Sequence, residues 1–183
     1  MDKASTINGE LLRNYRDLQA RVDLICRKIE AEFGPHLACQ GGCDSCCRHI
    51  SLFRVEAAAL TAAVNGLPPE QASHVRIRAR GASPEDPCPL LENGLCLLYA
   101  ARPIICRTHG LPVLTLQGGK RSVDFCPRNF RDIASLPGNA VIDLDRLNTT
   151  LTAINALFVA EFFKNSPPEK ERISIAEALT GAG

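Results

Sequence analysis

The chain has 183 residues, 45% of them hydrophobic, with 21 basic and 20 acidic side chains and a formal net charge of +1. That length suits one domain able to bury its own core. So even a charge balance, with aromatics at 5% and no tryptophan, argues against nucleic acid or an anionic membrane surface as a partner.

The first twenty residues carry charges throughout and lack an apolar run. No stretch reaches the roughly 18 apolar residues of a membrane span, so a cytoplasmic protein is expected. From Leu11 to Phe33, apolar side chains recur at Leu11, Tyr15, Leu18, Val22, Ile25, Ile29 and Phe33. These are the steps of an amphipathic helix, and Gly34-Pro35 stops it. Cys26, at the edge of that stripe, reads as a small buried hydrophobe outside any ligand set. Residues 50–53 suggest a short strand. RVEAAALTAAV then reads as a helix closed by Asn65-Gly66. Pro68-Pro69 opens a third helix through Arg80, whose Arg76, Arg78 and Arg80 read as a solvated basic face.

Residues 82–110 are turn-rich. Leu111–Leu116 and Arg121–Phe125 flank Gly118-Gly119, a β-hairpin whose turn needs positive φ. From Asp143 a long helix places Leu144, Leu147, Leu151, Ile154 and Phe158 on one face, suited to antiparallel packing on the first helix. Residues 166–183 suggest one weak helix and a small-residue tail. The expected fold is mainly α with a small β-hairpin and an irregular cysteine-rich centre, flanked by N- and C-terminal amphipathic helices. It forms a single domain over 1–165, with its metal-binding core at 39–130 and a weakly ordered tail at 166–183.

Nine cysteines are present, and four fall within nine residues: Cys39, Cys43, Cys46 and Cys47. Cys88, Cys96, Cys106 and Cys126 follow downstream. In a reducing compartment such clustering points to metal or redox chemistry, and an odd count fits a disulfide framework badly. Thiolate is a soft ligand for zinc and for iron–sulfur clusters, both of which take about four ligands in a tetrahedral arrangement. The Cys43/Cys46 spacing lets one tight turn aim two sulfurs at one metal. The adjacent Cys46 and Cys47 side chains diverge, so the doublet suggests two neighbouring metals, a polynuclear cluster, or one ligand beside a reserve thiol. Cys39-x3-Cys43-x2-Cys46 has the spacing of radical-SAM cluster loops, but a chain this short and helical does not supply the strand–helix barrel those enzymes need. Paired zinc ribbons want two CxxC pairs, and only Cys43/Cys46 has that spacing.

The knuckle, the segment CPLLENGLCLLYAARPIICR and the later Cys126-Pro127 together resemble the YkgJ-type cysteine-cluster family of zinc- or iron-chelating proteins. The first gap here is three residues, where the CxxCxxCC pattern has two. The resemblance implies that Cys39, Cys43, Cys46, Cys47, Cys88, Cys96, Cys106 and Cys126 are metal ligands. The same cluster segment is similar to that of the flagellin lysine N-methylases, which implies iron–sulfur chemistry and S-adenosylmethionine as options. Arg102 and Arg107 bracket Cys106, where guanidinium groups would offset thiolate charge and donate hydrogen bonds to sulfur. His109, three residues after Cys106, is a candidate alternative ligand or proton carrier. His49 reads as solvent-facing, and His36 and His74 as surface residues.

Three functions fit this sequence. The first is a protein chelating iron, preferably as an iron–sulfur (4Fe-4S) cluster, or zinc, with a redox or metal-handling role. The second is an enzyme modifying protein side chains by means of the cluster. The third is a zinc-stapled module that contacts a protein partner.

Overall fold

The computed structural model describes residues 9–39, 41–164 and 166–181. The first helix, α1 (Arg13–Phe33), buries Tyr15, Leu18, Val22, Cys26, Ile29 and Phe33 along one stripe. Gly34-Pro35 ends its α-helical bonding, as expected, but the chain tightens through one 3-10 turn over Gly34–His36 before leaving. After the cysteine knuckle, β1 (Ser51–Phe53) leads directly into α2 (Arg54–Asn65).

Helix α2 is buried on two faces. Val55 and Ala58 join a first core with α1 and the last long helix. Ala57, Leu60 and Val64 face a second core. The small alanines of RVEAAALTAAV let the helix serve as a wall shared by both.

The second core is completed by α3 (Pro69–Arg80), through Ala72, Val75 and Ala79, and by the end of the chain. There β7 (Arg172–Ser174) pairs antiparallel with β1, Leu52 opposite Ile173, and α6 (Ile175–Thr180) buries Ile175, Ala178 and Leu179. Residues 172–180 thus form a strand and the one helix expected within 166–183. Ser174 caps α6 by accepting from Glu177 N–H, while the Glu177 carboxylate accepts from Ser174 N–H. This reciprocal pair, together with the buried Ile173, holds a segment that its composition alone would leave loose. Residues 182 and 183 lie outside the described residues.

Between the cores runs the turn-rich stretch. Asn93 and Gly94, both at positive φ, close a two-residue hairpin between β2 (Leu91–Glu92) and β3 (Leu95–Cys96). Pro103 precedes a short helix, α4 (Ile104–Thr108). The expected hairpin is present as β4 (Val113–Gln117) and β5 (Lys120–Asp124), turning at Gly118 and Gly119, whose φ values are 57° and 78°. A short strand, β6 (Ile142–Asp143), adds to β4 in parallel and leads into α5 (Leu144–Phe163). Asp143 caps α5 by accepting from Arg146 N–H at 2.9 Å. Buried Leu147, Leu151 and Phe158 of α5 share the first core with α1. The architecture is mainly α with small β elements, and no helix among the described residues is long and apolar enough to cross a membrane.

One carboxylate sits inside this frame. Glu56 is 3% exposed; it accepts N–H bonds from Phe53 and from Ile104, both at 3.2 Å, and so ties α4 to α2. Burial pushes its carboxyl above the usual carboxylate range, while the two amides pull it back in part. A carboxyl raised in the folded state contributes most below its unfolded value of about 4.3, and that contribution is lost as pH rises through the folded value. Glu56→Gln, neutral throughout, is therefore expected to gain stability relative to the wild type as pH rises from about 4.3 toward neutrality. Urea midpoints across that range test it, and a pH-independent difference would overturn it.

Candidate metal centre

The knuckle leaves the 3-10 turn through Leu37 and Ala38 and is fastened at both ends. Ala38 N–H donates to Asn129 Oδ1 at 2.8 Å, and Cys88 N–H donates to Cys47 O at 3.1 Å. Between these anchors Gly42 sits at φ 90°, a conformation that glycine adopts without penalty. Its backbone rests on the β2–β3 turn, where a Cβ on Gly94 would lie 3.1 Å from Gly42 Cα.

All nine cysteines are free thiols. Cys26 stands apart in α1, buried and donating to Arg107 O at 3.4 Å, the packing role expected of it. The other eight form two groups joined at Cys46 and Cys47, whose side chains meet in a hydrogen bond where divergence was expected.

In the first, Cys39 lies against the turn of Gly110, where an added Cβ would be 3.0 Å from Cys39 Sγ and 3.7 Å from Cys126 Cβ. Asn129, 1% exposed, donates through Nδ2 to Cys39 Sγ at 3.4 Å and to Gly110 O at 2.7 Å. Arg128 Nη1 reaches Cys43 Sγ at 3.6 Å. Burial raises the Cys39 thiol, the Asn129 hydrogen bond lowers it, and the neighbouring Cys126, Cys43 and Cys46 raise it further.

In the second, Cys88 and Cys96 pack against the second core from either side of the β2–β3 hairpin. Arg78 of α3 fastens this segment, donating through Nε to Pro89 O at 3.0 Å and pairing with Glu92 at 3.4 Å. Burial pushes Cys106 up to about 12, with Cys88, Cys96 and Cys47 adding to the rise. Cys88 is pushed up to about 11, again by burial first, with Cys96 and Cys47 contributing. Burial raises Cys47 as well, and Cys96 is the thiol that adds most to it. These eight thiols are the soft donor set that zinc or iron requires, and a bound cation would favour their deprotonation. Among the described residues no three His, Cys, Asp or Glu side chains already converge tightly enough to hold one ion.

The two arginines expected beside the thiols are directed elsewhere to different degrees. Arg107, 8% exposed, turns to α1: Nη1 reaches both Asp23 carboxylate oxygens at 2.6 Å, Nε donates to Arg102 O at 2.8 Å and Nη2 to Ala100 O at 2.7 Å. Arg102 stacks over Tyr99, 3.5 Å from the ring centroid, and its charge lowers the Cys96 thiol against the larger effect of burial. His109 is exposed. His49 differs from its solvent-facing reading, since its Nε2 is buried and lacks a hydrogen-bond partner among the described residues. His36 pairs with Asp132 at 2.8 Å and His74 with Glu92 at 2.7 Å.

Sequence reasoning missed Arg128 and Asn129. Their only local signal was their place directly after Cys126-Pro127, where a turn must follow.

Residues 38–127 match the family model CxxCxxCC, described as "Putative zinc- or iron-chelating domain". No curated protein and no solved structure matches the chain.

Proposed function

We propose that the chain, whose residues 38–127 match the CxxCxxCC model described as a "Putative zinc- or iron-chelating domain", holds iron as an iron–sulfur cluster, in preference to zinc, and serves in redox chemistry or metal handling. The observation that carries this reading is the gathering of eight free thiols around one knuckle, more than a single structural zinc takes. Two apolar cores already hold the fold, so a staple is not what the protein lacks. Cys39 and Cys46 are exposed, which gives a redox partner or a metal donor access to the centre. The reading places the protein in a reducing compartment such as the cytoplasm.

In this role the residues would act as follows. Thiolates of the knuckle and of the downstream segments bind the metal. Asn129 and Arg128 donate to sulfur and temper its charge, and Gly110 leaves the space that Cys39 occupies. Bound iron–sulfur would supply one-electron chemistry.

Anaerobic purification with iron, zinc and acid-labile sulfide analysis, plus a visible spectrum, tests the reading. The expected result is a brown protein bleached by dithionite. A colourless protein containing zinc and no sulfide would overturn the preference for iron.

A further inference from the structure

The outer edge of the β4–β5 hairpin carries unpaired backbone groups. β5 ends the sheet order β5-β4-β6, and each of its residues is exposed. The Gly118-Gly119 turn, with φ positive at both positions, makes Gln117 and Lys120 the hydrogen-bonded pair that closes the hairpin. Pairs alternate from there, so Ser122 and Asp124 also bond to β4, while Arg121 and Val123 turn their N–H and C=O outward. Leu116, opposite Arg121, keeps the same phase, since its N–H points away from β5 and donates to Asp145 Oδ2 at 2.7 Å. Among the described residues no backbone partner meets the outward groups of Arg121 or Val123. Neither a proline nor a bulge interrupts the strand, although these are common protections of a free edge.

The side chains on this edge complement a second copy of themselves. In an antiparallel pair centred on Ser122, Arg121 of each copy stands opposite Val123 of the other, and each such pair exchanges two backbone bonds. Every outward N–H and C=O of both strands is then used. Lys120 faces Asp124 of the other copy at both ends, in non-hydrogen-bonded positions where opposite side chains are closest. Among the described residues neither Lys120 nor Asp124 has an ion pair within its own chain. Other registers do worse. One centred on Arg121 sets two guanidinium groups against each other, and one centred on Val123 places Lys120 opposite Cys126. A slip of a single residue matches outward groups with inward ones.

We infer that the β5 edge is a contact between two copies of this chain, paired antiparallel about a two-fold axis at Ser122 to give a continuous sheet β6-β4-β5-β5-β4-β6. The apolar face supports the pairing. Leu114, Leu116 and Val123 lie on the side opposite to Val113, which packs on the first core. Leu116 is 57% exposed and Val123 40%, and the aliphatic stem of Arg121 from the other copy covers Val123. Two five-residue strands make a small contact, in the class of weak, reversible interfaces below about 1,200 Å². The two Cys126 residues lie eight positions apart along the antiparallel pair, about 27 Å. Each copy therefore keeps its own thiols, and the inference is independent of the chelating role proposed above.

Sedimentation velocity of the full chain, kept reduced and anaerobic, tests it across micromolar to millimolar concentrations. Wild type is expected to show a reversible monomer–dimer equilibrium, with or without bound metal. Lys120→Asp sets like charges opposite each other at both ends and is expected to weaken the dimer about tenfold. Adding Asp124→Lys exchanges the two signs and is expected to restore wild-type association. Val123→Pro removes an N–H that β4 does not use, so it is expected to abolish the dimer while the far-ultraviolet circular dichroism is retained. A wild type monomeric at every concentration would overturn the inference and leave the edge to a different partner strand. A dimer indifferent to both Lys120→Asp and Val123→Pro would overturn it by placing the contact elsewhere. A charge-exchanged double variant as weak as Lys120→Asp alone would overturn the register centred on Ser122.

Discussion

Arg107→Ala is expected to lower the unfolding free energy by about 3 kcal/mol, equivalent to roughly 6–12 °C in melting temperature for a domain of this size. The side chain of Arg107 is 5% exposed and meets Asp23 as well as the carbonyls of Arg102 and Ala100. Truncation removes the side-chain donor to the Ala100 carbonyl and one of the two donors to the Arg102 carbonyl, which keeps Gln19 Nε2, and leaves Asp23 without its cation. The Asp23 side chain is 30% exposed and can recover water, which keeps the loss toward the lower end for a broken buried pair. Arg107→Lys is expected to recover less than half of it, since one ammonium cannot reproduce the planar fork on three acceptors. Urea denaturation of both variants, metal-free and metal-loaded, checks this. A loss under about 1 kcal/mol would show that the guanidinium is not a major link between α1 and α4.

The second large effect is expected at Gly110. Its φ of 89° lies where a side chain is strained, and the new Cβ would stand 3.0 Å from Cys39 Sγ. The Gly110 carbonyl also accepts from Cys126 N–H and Asn129 Nδ2, so a backbone shift to relieve the clash would disturb both. Gly110→Ala is expected to cost about 1–3 kcal/mol, read as a tenfold to hundredfold weaker metal affinity. Competition with a chromophoric chelator would show the weakening directly. Unchanged affinity would place Cys39 outside the ligand set.

Much of the helical frame was legible because its signals are local. The spacing of Tyr15, Leu18, Val22, Ile29 and Phe33 marked α1, and Pro69 with Gly81 bounded α3. Gly118-Gly119 identified the β4–β5 turn. Pairings between distant segments left no such trace. β1 meets β7 across more than a hundred residues, and its three-residue partner has neither the length nor the alternation that marks a strand. The five residues of α4 are too few to show a helical period.

At the thiols, the pattern distinguished Cys26 from the rest and identified the doublet as an anomaly. Their grouping depends on contacts such as Arg128 with Cys43 and Asn129 with Cys39, which are 85 and 90 positions apart. Arg107 misled because sequence adjacency to Cys106 says nothing about direction. On a helical turn its side chain points to α1.

The shared wall α2 bears on how far the family-matched segment can be treated as a module. Residues 38–127 contain the thiols, α2 and α3, but neither apolar core is complete within them. The first core draws on α1 and α5, and the second on β7 and α6. Transplanted alone into another protein, this stretch would expose both faces of α2 and lose the strand that covers β1. A host would have to provide two long helices on one side and a strand–helix cap on the other. The unit that can be exchanged between proteins is therefore the cysteine loops together with their flanking scaffold, and the sequence pattern marks only the inner part of it.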